Sequence, residues 1–295
     1  MTVIRDQGNQ GSRRPGRPSS GLSSVTPEVV VAPPPRRLGR RQARGALAVA
    51  VAVPLLLMAW WWIASQTATP LTLPKPGVVF ARALDLLVGP SAFHTWTSMV
   101  RILISVVVAL VIGAVLVFVA LLVPITQTLI GTELLTFLNS VPALGWAILG
   151  VVWFGVGDLA VVAVVTLILI PFSMVNVYEG MRSLDPGLLE MGHSFTRSKT
   201  KVLLRIQAPL LVPYVFAAVR LSFSVGWKVA LIAEFFGAKA GLGLVMNRAR
   251  QSFDTATVLA AIIVVLVIVT VFERALFDPL ARMFARRSGT IAGAR

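Results

Sequence analysis

Apolar runs long enough to cross a lipid bilayer recur along this chain, and no other feature of the sequence limits its fold so tightly. Residues 45–64 form one uninterrupted apolar stretch, close to the ~20 residues that a spanning helix needs. Further runs fall at about 102–123, 133–153, 159–178, 210–233 and 255–272. Inside hydrocarbon every backbone N–H and C=O must be satisfied within the protein, so each run is predicted to be a helix. The expected fold is an all-α polytopic membrane protein with six transmembrane helices. Composition agrees: 56% of residues are hydrophobic, 13% are charged and the mean hydropathy is +0.83, which no soluble domain would tolerate. There is no cysteine, and the two histidines, His94 and His193, are too few for a His-rich metal site. No metal or cofactor is expected in this chain.

The net charge of +15 would suggest nucleic acid in a soluble chain. Here the positions of the charges give another reading. Nine arginines crowd residues 1–44, a Pro, Gly, Ser and Arg-rich segment expected to be disordered, cytoplasmic and able to lie on anionic lipid. Five Lys/Arg fall in the polar stretch around 182–205 and five more follow the last apolar run. The segments expected outside hold five: Lys75, Arg82, Lys239, Arg248 and Arg250. This asymmetry predicts a membrane protein with both termini in the cytoplasm, which needs an even number of spans. Arg40-Arg41 ahead of the first run resembles a signal peptide, but Trp60-Trp61-Trp62 stands where small residues would mark cleavage. The triple Trp fits an interfacial belt. The domains expected are thus a basic tail at 1–44, a transmembrane domain at 45–287 and a short tail at 288–295.

Residues 184–209 are the main polar interruption between the fourth and fifth runs. Asp185 is placed to cap a helix starting at Pro186, with Leu188, Met191 and Phe195 on one face. A second short helix would carry Val202, Leu203, Ile206 and Leu210 on its apolar side and Lys199, Lys201 and Arg205 on the other. Two such helices between long apolar ones make a cytoplasmic two-helix elbow.

This segment resembles the Glu-Ala-Ala loop of the permeases of ATP-binding cassette (ABC) importers. Glu190 matches the Glu and Pro209 the Pro, whereas Met191 and Gly192 replace two alanines and Thr196 replaces a Gly. A β-branched Thr reaches positive φ poorly, so the bend between the two helices would be built differently here. Other strings resemble the nitrate/sulfonate/taurine branch of that family. They are Leu73-Pro74-x-Pro76, Ser98-x-x-Arg101, NSVPALGWAIL with Asn139 at a usual Arg position and Ile148 at a usual Pro, WFGVGD at 153–158, and AEFFGAKAGLG at 233–243. The resemblance covers roughly 71–287. It implies a non-catalytic subunit that works with two ABC ATPase subunits carrying ATP and Mg, a second permease chain, identical or related, and an extracytoplasmic substrate-binding protein. Leu188, Glu190, Met191, Gly192, His193, Phe195 and Thr196 would then form the coupling elbow that the ATPases grip.

The chain has no phosphate-cradling G-x-x-x-x-G-K-[ST] and no H-E-x-x-H or G-x-S-x-G string, so ATP would be hydrolysed elsewhere and a membrane enzyme is the weakest reading. Candidate path positions are the ionisable Lys228 and Glu234, the helix-breaking Pro142, and Asn139 and Trp146 near that break. Lys228 either attracts an anionic solute (a sulfonate, nitrate or carboxylate) or snorkels and pairs structurally. Arg220 and Glu133 read as structural ion partners. The rival function is an ATP-independent secondary transporter or channel using Lys228 and Glu234. Against it stand the lack of an inverted repeat and the small number of intramembrane charges.

Overall fold

A computed structural model describes residues 38–66, 73–123, 129–185 and 198–284, together with Gly187, Glu190, Met191 and Ser194. The described residues are helical or lie in turns. In chain order the helices are α1 (Leu38–Gln66), α2 (Pro76–Val88), α3 (Ala92–Leu122), α4 (Leu135–Ser140), α5 (Ala143–Phe154), α6 (Asp158–Arg182), α7 (Ala208–Gly237), α8 (Leu242–Gln251) and α9 (Thr255–Phe272). Short π-helical stretches precede α4 (Leu129–Leu134) and α7 (Leu203–Gln207) and follow α9 (Glu273–Phe277).

Among the described residues four helices are long and apolar enough to cross a membrane: Ala92–Leu121, Asp158–Arg182, Arg205–Gly237 and Thr255–Phe284. The first expected span lies within α1. The third is divided, because Pro142 lacks an amide hydrogen and holds Val141 extended, ending α4 and starting α5 as its N-cap. α9 has the limits expected of the last run, and the membrane-capable helix continues beyond it to Phe284. The second begins at Ala92 rather than at 102, which makes Ser98 and Arg101 helical. No helix was expected over 242–251. α8 is amphipathic, with Leu242 and Ala249 buried and Arg248 and Arg250 exposed.

α6 is the centre of the packing, lying between α3 and α7. Its Val161, Val164, Val165, Leu169, Ile170 and Met174 are buried among Ile102 and Val106 of α3 and Phe223 and Trp227 of α7. Small residues set the spacing: Gly113 of α3 meets Ser173, and Gly226 of α7 meets Leu169. In a membrane, where lipid is as apolar as Leu, such close packing supplies the attraction between helices. Outward faces remain apolar, as with Leu103, Val107 and Val111 of α3. α2 lies against α9, and α8 against α7 and α9.

The expected second elbow helix differs in the structure. Lys199–Val202 continues through the π turn Leu203–Gln207 directly into α7, and Pro209, which has no amide hydrogen to donate, stands just after that irregular turn. Leu188, Gly192, His193, Phe195 and Thr196 lie outside the described residues, as do the segments 1–37 and 285–295. Glu190 and Met191 are exposed.

Candidate functional site

Three strings far apart in sequence meet at one end of the bundle. Ser98 and Arg101 stand one turn apart on α3, Asp158 opens α6 at the end of WFGVGD, and Glu234 lies in the last turn of α7 before AKAGLG. Gly155 turns the chain into α6 with φ of +75°, a backbone conformation that a side chain disfavours. Arg101 is 4% exposed and Glu234 is fully buried. Arg101 Nη1 donates to Glu234 Oε1 at 2.8 Å and to the Ala240 carbonyl at 2.6 Å, while its Nη2 donates to Asp158 Oδ1. The Ser98 hydroxyl lies 2.7 Å and 2.9 Å from the two Glu234 oxygens and accepts the Leu242 N–H at 2.9 Å. The Gly243 N–H completes the carboxylate's shell at 3.0 Å. A buried carboxylate is tolerable only with this degree of pairing.

Gly241 closes the loop over Glu234. Its φ is +118°, and a Cβ placed there would run into the Glu234 carboxylate. Only glycine meets both demands. Its N–H donates to His94 Nδ1 at 3.1 Å, which tethers the loop to the start of α3. The Gly157 N–H donates to the Gly237 carbonyl at 2.8 Å and ties the start of α6 to the end of α7. The result is a clamp that fixes α3, α6, α7 and α8 to one another.

A second ionic group lies further along α7. Arg220 Nη2 is 2.7 Å from Glu273 Oε2 and 2.9 Å from Asp278 Oδ1, and Ser224 donates to Glu273 at 3.2 Å. Arg220 is therefore a structural ion partner, as expected, although its partners lie after α9. Phe223 stacks on Phe272 at 4.9 Å beside it, so this seam is part aromatic and part ionic.

The path candidates are scattered. Lys228 is exposed on a face of α7 that it shares with exposed Ala217 and Leu221 at i, i+4 and i+11 spacing, and it makes no ion pair among the described residues. Glu234, six positions on, is saturated by the clamp. Asn139 donates to the Leu135 carbonyl one turn back at 2.9 Å, and Pro142 is exposed at the helix break. Trp146 is 4% exposed, with its indole N–H 3.4 Å from the Leu138 carbonyl and its ring edge-on to Phe137. Sequence reasoning gave no part to Ser98, Asp158, His94 or Gly241 at this site. Ser98, Asp158 and Gly241 lay in the quoted strings, but nothing local in the sequence joins those strings.

A polar cavity of about 440 Å³ lies beside the clamp, walled by α2, α8 and the starts of α3 and α9. Arg82, Asp85, His94, Arg248 and Asp254 line it. Asp254 caps α9, accepting from the Thr257 N–H at 3.1 Å and the Thr257 hydroxyl at 2.7 Å. Burial pushes its carboxyl up, but these bonds and nearby Arg82 outweigh burial and hold it below the usual carboxylate range.

Comparison with known proteins follows the same lines. Residues 129–282 match the family described as "binding-protein-dependent transport system inner membrane component". The taurine transport system permease protein TauC of Escherichia coli (strain K12) is 28% identical over 217 residues, 70% of this chain and 78% of that protein. The putative aliphatic sulfonates transport permease protein SsuC of the same strain is 30% identical over 43% of this chain and 48% of its own length. The riboflavin transport system permease protein RibX of Chloroflexus aurantiacus is 30% identical over 50% of this chain and 55% of its own length. The chain thus spans about half of the latter two relatives and over three quarters of the first. Among solved structures, an inward-facing conformation of the MetNI methionine ABC transporter aligns over 65% of this chain and 94% of its own, with a TM-score of 0.57 and 15% identity, a likeness of fold.

Proposed function

Because the chain belongs to the binding-protein-dependent transport system inner membrane component family, whose members are non-catalytic ABC transporter permeases, we propose that it is the membrane subunit of an ATP-driven importer for a small anionic organic solute of the sulfonate type. The observation that carries this reading is the clamp. Ser98 with Arg101, the end of WFGVGD, and the Glu234–Gly243 stretch were each singled out by family resemblance, and in three dimensions they form one bonded unit. The taurine and aliphatic sulfonate relatives support the solute class.

In this reading both termini and residues 184–209 face the cytoplasm, and the clamp lies at the outer end. Two ATPase subunits grip the elbows of two permease chains through Leu188, Met191 and Phe195, with Glu190 toward a basic partner. ATP binding draws the elbows together and shifts the population from inward-facing to outward-facing states. The clamp keeps α3, α6, α7 and α8 together as one body during that motion. Lys228, which makes no ion pair among the described residues, lies on an exposed face of a spanning helix. It would line the path shared with the second chain and attract the anion.

Two measurements test this. The complex purified in detergent should contain an ATPase, and Met191→Asp should abolish its retention; full uptake with no ATPase present would refute the importer reading. Lys228→Met should lower uptake of an alkanesulfonate tenfold or more, on the order of one lost charge-assisted contact, with the complex still assembled. Unchanged uptake would make Lys228 structural.

A further inference from the structure

We propose that the groove between the C-terminal end of α8 and the first turn of α9 binds an anionic phospholipid, with its phosphate on Arg250 and an acyl chain running past Phe253 along α9. The site requires only that α9 cross a membrane, whatever solute the protein carries. α9 begins one of the helices long and apolar enough to do so, and residues 250–253 stand immediately before it. That is the level at which hydrocarbon gives way to headgroups, where aromatic and basic side chains collect.

Phe253 is held there against its backbone preference. Its φ of +56° is left-handed, a strained conformation for a bulky residue, and it stands just after α8, where glycine is usual. The turn is closed by the backbone: the Phe253 N–H donates to the Arg250 carbonyl at 3.2 Å and the Asp254 N–H to the Ala249 carbonyl at 2.8 Å. The ring takes no part in those bonds and is 74% exposed. Strain kept at an exposed aromatic points to a contact outside the chain's own core.

The groove beside the ring has a volume of about 460 Å³ and is walled by Ala249, Arg250, Phe253, Thr255 and Val258. Among the described residues that line it, Arg250 is the one that carries charge. Its guanidinium lies 5.6 Å from the centre of the Phe235 ring, with Nη2 at a long 3.5 Å from Asn247 Oδ1, and it makes no ion pair among the described residues. Asp254, the next acidic residue, lines the neighbouring polar cavity instead, where it caps α9 with Arg82 nearby. From the groove, Val258, Ile262 and Leu266 follow at i, i+4 and i+8 on one face of α9, with Ile262 and Leu266 exposed. That stripe runs for about 12 Å at the helical rise. A guanidinium, an exposed ring and an apolar stripe thus stand in the order of a phospholipid's phosphate, glycerol and hydrocarbon. The planar guanidinium fork suits phosphate, and no carboxylate among the lining residues is there to receive the amine of a zwitterionic headgroup.

The test is lipid binding to the assembled transporter, delipidated in detergent and titrated with dioleoyl phosphatidylglycerol or dioleoyl phosphatidylcholine, with bound lipids counted by native mass spectrometry. Phosphatidylglycerol should bind about tenfold or more tighter than phosphatidylcholine, and Arg250→Ala should remove that preference, as expected for loss of one charge-assisted contact. Phe253→Gly should weaken binding about fivefold or more through lost apolar contact. Because glycine adopts positive φ freely, the same variant should leave the lipid-free melting midpoint unchanged or raise it. A fall in that midpoint would mean that the ring stabilises its own chain and would overturn its assignment to a ligand. Equal binding of the two lipids overturns the anionic headgroup, and phosphatidylglycerol binding that neither variant changes overturns the location. Displacement of the lipid by millimolar inorganic phosphate would make Arg250 a free-anion site. Loss of the second permease chain from the complex in either variant would make this face a contact between copies. Either of these last two results overturns the proposal.

Discussion

α7 carries two ionic groups of similar composition and different surroundings. In one, Glu234 meets Arg101, whose other amino group meets Asp158; in the other, Arg220 meets Glu273 and Asp278. Each sets one arginine between two carboxylates. The side chains of Arg101 and Glu234 are 5% and 0% exposed, whereas those of Arg220, Glu273 and Asp278 are 36%, 27% and 38% exposed. Charges taken out of water are held only by their partners, so the first group cannot lose either of its buried members, Arg101 or Glu234, cheaply, while solvent can replace the partners of the second. The same chemistry is a fixed joint at one level of the helix and a loose seam at another.

The largest expected effect is that of Glu234→Gln. The variant keeps the shape of the side chain but removes the charge that balances Arg101, and it turns an amide NH2 toward a site of donors, the Gly243 N–H and Arg101. Breaking a buried pair from one side costs about 3–5 kcal/mol. The melting midpoint of the purified protein in detergent should fall sharply. The double variant Arg101→Met with Glu234→Leu should recover much of the loss, because no charge is then stranded. A drop of less than about 2 °C for Glu234→Gln would show that the joint is not holding the bundle.

Against this, the seam should yield little. Arg220→Met is expected to cost about 0.2–1 kcal/mol, and raising the salt concentration should shrink the difference from wild type. The check is the same melting midpoint measured at low and high ionic strength. A loss near that of Glu234→Gln, or one that salt does not change, would place Arg220 in the same class as Arg101.

Why the sequence displayed one of these groups more readily than the other follows from distance along the chain. Apolar run length made most of the helices legible, and the break at Pro142 followed from proline's missing donor. The charge of Arg220 in an apolar run was enough to mark it as a structural ion partner. Glu234 was legible as unusual, but its partner is 133 positions away, and only the packing of α3 against α7 brings the two together. Local spacing pointed instead to Lys228, six positions off, with which Glu234 forms no ion pair. The early start of α3 was hidden because Thr95, Ser98 and Arg101 precede the apolar run that begins at 102; they are buried, with Thr95 bonded to the Leu86 carbonyl at 2.6 Å. α8 could have been found from Leu242, Val245, Met246 and Ala249 at helical spacing. Its two arginines made it look like part of a connecting loop.

The smallest effect is expected within the clamp itself, and it separates burial from connectivity. Asp158 bonds to the same arginine as Glu234, yet its side chain is 77% exposed. It occupies the first turn of α6, where a carboxylate is also favoured by the helix dipole. Asp158→Asn keeps an oxygen that can accept from Arg101, and Arg101 retains Glu234 and the Ala240 carbonyl. The loss should stay below about 1 kcal/mol. In the Glu234→Gln background the same change should cost more, because Asp158 is then the remaining carboxylate bonded to a buried guanidinium. Such coupling through a shared partner is typically about 0.5–3 kcal/mol. The four melting midpoints of this cycle decide the matter. If Asp158→Asn alone is as damaging as Glu234→Gln, solvent does not relieve the exposed limb, and exposure is not what distinguishes the two ionic groups of α7.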